Sequence, residues 1–162
     1  RWNIESRDMF QKIDKCWETC KYLGGFAEDA YQDNVPSDGV IDRLQIAQYP
    51  LGGGEISSHF DSPKNQRAQG VINMSQKSVD FEAGGINFFD STETKKDIDL
   101  YLEPGDMFVF YPTLYHSVEP IDPEKPLNWD LDTGRWTVVL GSIDSHLLPN
   151  REMSKPWAPH LK

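Results

Sequence analysis

The chain of 162 residues is long enough for one domain with a sizeable core, and its formal charge of −10, from 26 acidic against 16 basic side chains, argues against a nucleic-acid surface and favours neutral or cationic substrates over polyanions. No apolar run reaches the length of a membrane span and no signal-peptide pattern opens the chain, so the expectation is a cytoplasmic protein without membrane or nucleic-acid partners. It opens at Arg1 rather than Met, as a piece of a longer chain would.

Over residues 3–23 the apolar side chains Phe10, Ile13, Trp17 and Cys20 recur at helical spacing, which predicts an amphipathic helix ended by Gly24-Gly25. Cys16 and Cys20 are four apart, the wrong spacing for a C-x-x-C redox pair, and no second Cys/His pair completes a zinc site. Free, partly buried thiols are expected, consistent with a reducing compartment. Residues 26–39 are acidic and loop-like, with Pro36, Asp38 and Gly39 marking turns. Residues 40–49 read as a strand with Leu44, Ile46 and Gln48 on one face and Arg43, Gln45, Ala47 and Tyr49 on the other. The second face is polar: it either lines a cavity or is solvated. The glycines after Leu51 lack the Lys-Ser/Thr and the helix of a phosphate loop, and read instead as a hairpin-like link.

Next comes Ile56-Ser57-Ser58-His59-Phe60-Asp61, followed by a polar stretch and a strand over residues 70–75, in which Asn73 shares a face with Val71 and Ser75. That amide either touches a ligand or satisfies a buried backbone group. Gly84-Gly85 gives a tight turn into a strand over 86–89, and the charged residues 91–99 are expected to form a solvated hairpin tip. A short strand over 100–102, a Pro104-Gly105-Asp106 turn and an apolar strand over 107–111, expected to be buried on both faces, lead to Tyr115-His116-Ser117-Val118. An insertion rich in proline and acid fills 121–134. Residues 135–143 then alternate, with Arg135, Thr137, Val139 and Gly141 on one face and Trp136, Val138 and Leu140 on the other. The tail from 144, including His146, has no periodicity.

Many short strands punctuated by Gly and Pro, preceded by one helix, predict a mainly β fold: a double-stranded β-helix, the cupin-like jelly-roll, with a buttressing N-terminal helix. One domain over 1–162 is expected, with a support helix in 1–25, a catalytic core in 40–143 and a tail in 144–162. Side chains two apart on a strand share a face, so His59 and Asp61 offer an imidazole and a carboxylate to one metal. His116, on a strand able to pair nearby, completes the two-histidine, one-carboxylate triad that suits ferrous iron and leaves coordination positions open. Arg135 offers a guanidinium fork for a carboxylate.

These residues resemble the 2-oxoglutarate/Fe(II)-dependent dioxygenases. The segments Gln48-Tyr49-Pro50-Leu51-Gly52-Gly53, Gly84-Gly85-Ile86-Asn87-Phe88-Phe89 and Glu103-Pro104-Gly105-Asp106-Met107-Phe108-Val109-Phe110 resemble the branch that includes the prolyl hydroxylases, over roughly residues 40–143. The resemblance implies Fe(II), 2-oxoglutarate and O2 as cofactor and co-substrates, with His59, Asp61 and His116 as metal ligands. Arg135, Thr137 and Tyr49 would hold 2-oxoglutarate, the Arg-x-Thr pair standing where the family has Arg-x-Ser. Gln45, Asn73 and, if the insertion folds over the site, Trp129 are candidate substrate contacts, as are Tyr31 and Asn34 if residues 26–39 form a covering loop. The insertion ahead of Arg135 departs from the family pattern, although no other arginine lies between His116 and Arg151. With Asp61 in place of the small residue of related halogenases, the implied reaction is hydroxylation of an unactivated C–H bond with release of succinate and CO2. A small molecule is favoured over a peptide as substrate, because the acidic loops look like lids. The alternatives are a peptidyl hydroxylase, a cupin-like metalloenzyme that does not use 2-oxoglutarate, and a non-catalytic jelly-roll binding module.

Overall fold

The computed structural model describes residues 8–31 and 39–144. They form a helix, α1 (Met9–Leu23), and eight strands: β1 (Val40–Tyr49), β2 (Gly54–His59), β3 (Gln69–Asn73), β4 (Gly85–Phe89), β5 (Lys95–Asp97), β6 (Met107–Phe110), β7 (His116–Ile121) and β8 (Arg135–Asp144). The strands make two four-stranded antiparallel sheets, ordered β1-β8-β3-β6 and β2-β7-β4-β5. Apart from the β4–β5 hairpin, successive strands change sheet at every step. That is the jelly-roll layout expected from the sequence.

The strand alternation sorts the core into two layers. Inward-facing Tyr49, Ile86, Phe88, Val118 and Ile121 pack between the sheets with Phe81, flanked by Ala47, Phe108 and Phe110. On the outer face of the first sheet, Val138 and Leu140 of β8 meet Trp17 and Cys20 of α1, with Leu44, Ile72, Met107 and Val109 around them. Fully burying a side chain such as Leu140 contributes roughly 1.5–3 kcal/mol. Gly70 lets the helix come this close, since a Cβ there would sit 2.6 Å from the Cys20 sulfur. A buried ion pair pins the same surface: Lys21 Nζ donates to Asp42 Oδ2 at 2.5 Å, and Ser142 Oγ donates to Asp42 Oδ1 at 2.7 Å.

Several local expectations need correction. Residues 95–97 pair with β4 as a strand, so only the turn at residues 90–94 is a free tip. Residues Asp99–Tyr101 form a single 3-10 turn rather than part of a strand, because the chain must reverse before the Pro104-Gly105 turn. Strand β6 is only half-buried along its length, as it lies at the sheet edge. Strand β2 stops at His59, and its pairing with β7 is irregular at two places, so simple alternation does not extend to Asp61. The helix expected from residue 3 is seen from Met9; residues 1–7 lie outside the described part. Among the described residues no helix is long and apolar enough to cross a membrane.

The insertion starts at Asp122, whose backbone has φ 40°. Its carboxylate accepts the amides of Glu82 and Ala83 and the Lys125 ammonium, at 2.6–3.2 Å. Burial pushes its pKa up, but these donors together outweigh burial and leave it below the usual aspartate value. Protonation therefore costs the folded state contacts that the unfolded chain lacks, so this contribution is present above the unfolded pKa and is lost as pH falls through the folded one.

Asp122→Ala is expected to lower stability by about 1–3 kcal/mol at pH 7, read by denaturant unfolding, with the gap to wild type narrowing as pH falls below the usual aspartate range. A second expectation concerns the thiols, both of which are free. Burial first, and Cys16 second, push the Cys20 thiol up to about 11. In the native protein iodoacetamide at pH 8 should therefore modify Cys16 well before Cys20, as mass spectrometry of digests would reveal.

Candidate metal centre

Antiparallel pairing of β2 with β7 sets His59 directly opposite His116, with ring centroids 4.3 Å apart. Each ring is held by the same local contact. His59 Nδ1 lies 2.7 Å from the Ser57 carbonyl and His116 Nδ1 lies 2.8 Å from that of Leu114. A carbonyl can only accept, so Nδ1 carries the proton in both neutral rings and each Nε2 lone pair is left for a metal. Asp61 follows the strand end, its amide donating to the Pro112 carbonyl at 2.7 Å. Its two carboxylate oxygens lie 3.8 Å from the two Nε2 atoms, one each. That is too long for hydrogen bonds, and the three ligand atoms all fall within 4.8 Å of one another. Ligands about 2.1 Å from one ion at right angles sit roughly 3 Å apart, so this donor set is slightly wider than a loaded site and of the right kind for one.

The surroundings divide into a dry side and an open side. His116 is buried against Phe88 and Phe110, whose ring centroids are 5.6 and 4.9 Å from its own. Burial lowers its pKa, against the raising effect of the Leu114 carbonyl, and His59 lowers it further. This favours the neutral, ligating form. The His59 and Asp61 side chains are about one-third exposed, at 36% and 34%, which leaves an approach for further ligands. Beside Asp61 an open cavity of about 350 Å³ is lined by Arg43, Gln69, Val139, Gly141 and Ile143 among others, in the size range of small-ligand sites. Phe60, Tyr111 and Tyr115 are exposed beside the ligand residues.

Arg135 begins β8 opposite Tyr49. Gly134, at φ 102°, allows that entry, since a Cβ there would meet the Tyr49 carbonyl oxygen at 2.3 Å. Ser75 fastens the same point: its Oγ donates to the Gly134 carbonyl at 3.2 Å and accepts the Trp136 amide at 2.9 Å. The Arg135 side chain is buried and already partnered. Its Nε donates to Asp99 Oδ2 at 2.8 Å and its Nη2 to Asp99 Oδ1 at 3.0 Å, both side chains being 1% exposed. Asp99 Oδ2 also accepts the Ile86 amide at 2.7 Å. The guanidinium carbon is 5.6 Å from the centre of the Tyr49 ring. Burial pushes the Tyr49 phenol up, Arg135 opposing and Asp99 adding to the shift, so the hydroxyl stays protonated.

Two residues along β8, the buried Thr137 Oγ1 has no hydrogen-bond partner among the described residues, and neither has Oδ1 of the buried Asn73, the residue paired with Thr137. Asn73 Nδ2 donates to the carbonyls of Ser75 and Glu103, so its amide does satisfy buried backbone while its oxygen stays open. Ile86, which holds Asp99, pairs with Val118, two residues along β7 from His116, or ~7 Å at the usual strand rise. Of the two orphaned oxygens only the Thr137 hydroxyl can donate, and with the Arg135 guanidinium on the same face of β8 it is of the kind that a carboxylate would use.

The other candidates are placed differently. Gln45 faces inward on β1 but is exposed. The insertion seats on the turn after β1: a Cβ on Gly52 would lie 2.5 Å from Leu127 N, and Gln48 Nε2 donates to the carbonyls of Leu131 and Thr133. It leaves β7 at Ile121, which pairs with Gly54 at the far end of β2 from His59, ~17 Å along the strand. Trp129 is 66% exposed there and does not cover the histidines, because the insertion docks at the opposite end of the sandwich. Tyr31 packs near Phe26, ring centroids 6.3 Å apart, and Asn34 lies outside the described residues. Asp99 is the residue that sequence reasoning missed. Nothing in residues 91–99 sets it apart from Asp90 or Asp97 until the 3-10 turn rolls it inward.

No family model and no curated protein matches the chain. Among solved structures it is similar to the crystal structure of a Pseudomonas putida prolyl-4-hydroxylase, at 18% identity and a TM-score of 0.43, with 63% of this chain and 51% of that one covered. The chain thus spans about half the length of that protein.

Two measurements follow from this geometry. Mn(II) should bind the wild type, and Asp61→Ala or His116→Ala should weaken it by more than ~10²-fold in calorimetry, since loss of an outer partner alone costs 10–100-fold. Arg135→Ala or Asp99→Ala alone should destabilise the fold by about 3–5 kcal/mol, whereas the Arg135→Met, Asp99→Leu double variant should lose only about 1–3 kcal/mol, from the Ile86 amide left without an acceptor.

Proposed function

We propose that the chain is a non-haem Fe(II)- and 2-oxoglutarate-dependent dioxygenase that hydroxylates an unactivated C–H bond of a small molecule and releases succinate and CO2. The observation that carries this reading is the convergence of His59, Asp61 and His116, with both Nε2 atoms freed by backbone contacts at Nδ1 and one side left open. That donor set suits ferrous iron and leaves positions for a chelating co-substrate and dioxygen. Bound together, the metal and 2-oxoglutarate supply oxidative decarboxylation coupled to insertion of one oxygen atom into C–H.

The chain's own residues have separable parts in this. His59 and His116 present fixed tautomers, and Asp61 contributes the negative charge. Arg135, Thr137 and the protonated Tyr49 would hold the distal carboxylate of the co-substrate, Tyr49 donating through its hydroxyl. Phe88 and Phe110 keep water from the His116 side. The 350 Å³ cavity beside Asp61 favours a small molecule as substrate. A second reading, a peptidyl hydroxylase, is favoured by exposed Phe60, Tyr111 and Tyr115 next to the centre, which would suit an extended chain. Neither nucleic acid nor membrane has a part in the proposal.

Succinate release from Fe(II)-loaded protein, screened against metabolite and peptide libraries, tests the reading and separates the two substrate classes. His59→Ala and Asp61→Ala should abolish release; an undiminished rate from either would remove the triad from the reaction. Arg135→Lys keeps the buried charge but loses the fork, and should raise the KM for 2-oxoglutarate about 10–100-fold with kcat little changed. An unchanged KM would remove Arg135 from the co-substrate site.

A further inference from the structure

We infer that Asp99 is a positioning residue for the co-substrate: by gripping Arg135 side-on it reserves the other edge of the guanidinium, Nη1 with the second N–H of Nη2, for the distal carboxylate. The inference rests on the reading of Arg135 proposed above and adds a residue that the sequence did not single out.

A guanidinium has five N–H donors and two edges that match a carboxylate. Asp99 takes the edge made by Nε and Nη2, at 2.8 and 3.0 Å, which leaves three N–H groups and one complete edge. Asp99 cannot easily let go. The Ile86 amide holds its Oδ2 at 2.7 Å, and the carboxylate fits against Gly85, where a Cβ would come within 2.3 Å of Oδ2. Gly85 sits at φ 115°, so glycine is favoured there on two counts. With Nε anchored, rotation of the guanidinium plane is blocked, and the remaining donors have a fixed direction before any ligand arrives. On the same face of β8, the buried and unpartnered Thr137 hydroxyl supplies one more group for a carboxylate.

The charge of Asp99 acts in the opposite sense, since it repels a second carboxylate on the same guanidinium. In a site this dry, aligned donors count for more than unaligned charge, because reorienting a buried guanidinium at the moment of binding requires breaking its existing contacts. Orientation is therefore expected to win. The recognition it produces is geometric: a planar carboxylate met by a planar fork.

The direct test uses the wild-type chain labelled with [15N]arginine and loaded with Zn(II), which is diamagnetic. Arg135→Lys identifies the Arg135 signals by their loss. Adding 2-oxoglutarate should leave the Nε–H resonance in place and shift the Nη resonances; a shift of Nε–H to a free-guanidinium position would mean that the ligand displaces Asp99, and the inference would be lost. The second test compares Asp99→Asn with wild type for anaerobic binding to the Zn(II) protein of 2-oxoglutarate and of 2-oxobutyrate, which lacks the distal carboxylate. The expected result is about tenfold weaker binding of 2-oxoglutarate with 2-oxobutyrate unchanged. Equal weakening of both would make Asp99 merely structural, and tighter binding of 2-oxoglutarate would make it a competing anion; either overturns the inference. Should Asp99→Asn not fold, the resonance experiment decides alone. If the wild type binds 2-oxoglutarate no better than 2-oxobutyrate, the parent reading of Arg135 falls and this one with it. If wild type prefers 2-oxoglutarate and Arg135→Lys loses the preference while Asp99→Asn keeps it, only the role of Asp99 is refuted.

Discussion

The antiparallel register between β2 and β7 sets His59 across from His116, and the chemistry available to this molecule depends on that pairing. A slip of one residue would turn one imidazole away from the other, since strand side chains alternate faces. The register is held by more than its own hydrogen bonds. Val118 and Ile121 of β7 are committed to the core between the sheets, and His116 itself is wedged against Phe88 and Phe110. β2 is an edge strand with irregular pairing. The well-ordered partner β7 therefore fixes the geometry, and β2 brings one ligand at its end and another just past it.

The second constraint is the buried Arg135–Asp99 pair. Two opposite charges taken out of water seldom stabilise a fold more than apolar residues of the same volume would. What the pair does supply is a guanidinium held in one orientation inside the sandwich, where an unpaired one would be costly. The same wall carries a buried hydroxyl and an amide oxygen without partners. Buried polar atoms are normally satisfied, and those left open usually answer to a missing ligand or water. The candidate metal triad lies at the partly exposed end of β2, and the buried guanidinium and hydroxyl lie inside the sandwich.

The outer helix serves this arrangement from a distance. Cys20 reaches Gly70 and Trp17 reaches the β8 side chains, so the central strands β3 and β8 of that sheet are covered on both faces beneath the helix. A strand covered on both sides cannot breathe as an exposed one does, which keeps the inner wall rigid. The Lys21–Asp42 pair, backed by Ser142, ties the helix to the end of that sheet where the cavity beside Asp61 opens.

The sequence by itself determined the layers and the candidate ligand group. Period-two alternation in β1 and β8 and period 3.6 in α1 are local signals, and they sorted inward from outward residues correctly because burial follows from where a side chain points. His59, Asp61 and His116 were legible for the same reason: a short H-x-D spacing and a histidine opening an apolar strand are properties of the chain alone. The positions of Trp129 and Asp99 were not legible, since neither follows from its neighbours. Where the insertion docks depends on Gly52 and Gln48, some 80 residues earlier. Asp99 meets Arg135 across 36 positions only after a 3-10 turn has rolled it inward. Contacts of that kind are made by the packing of two sheets, so tertiary structure alone decided them.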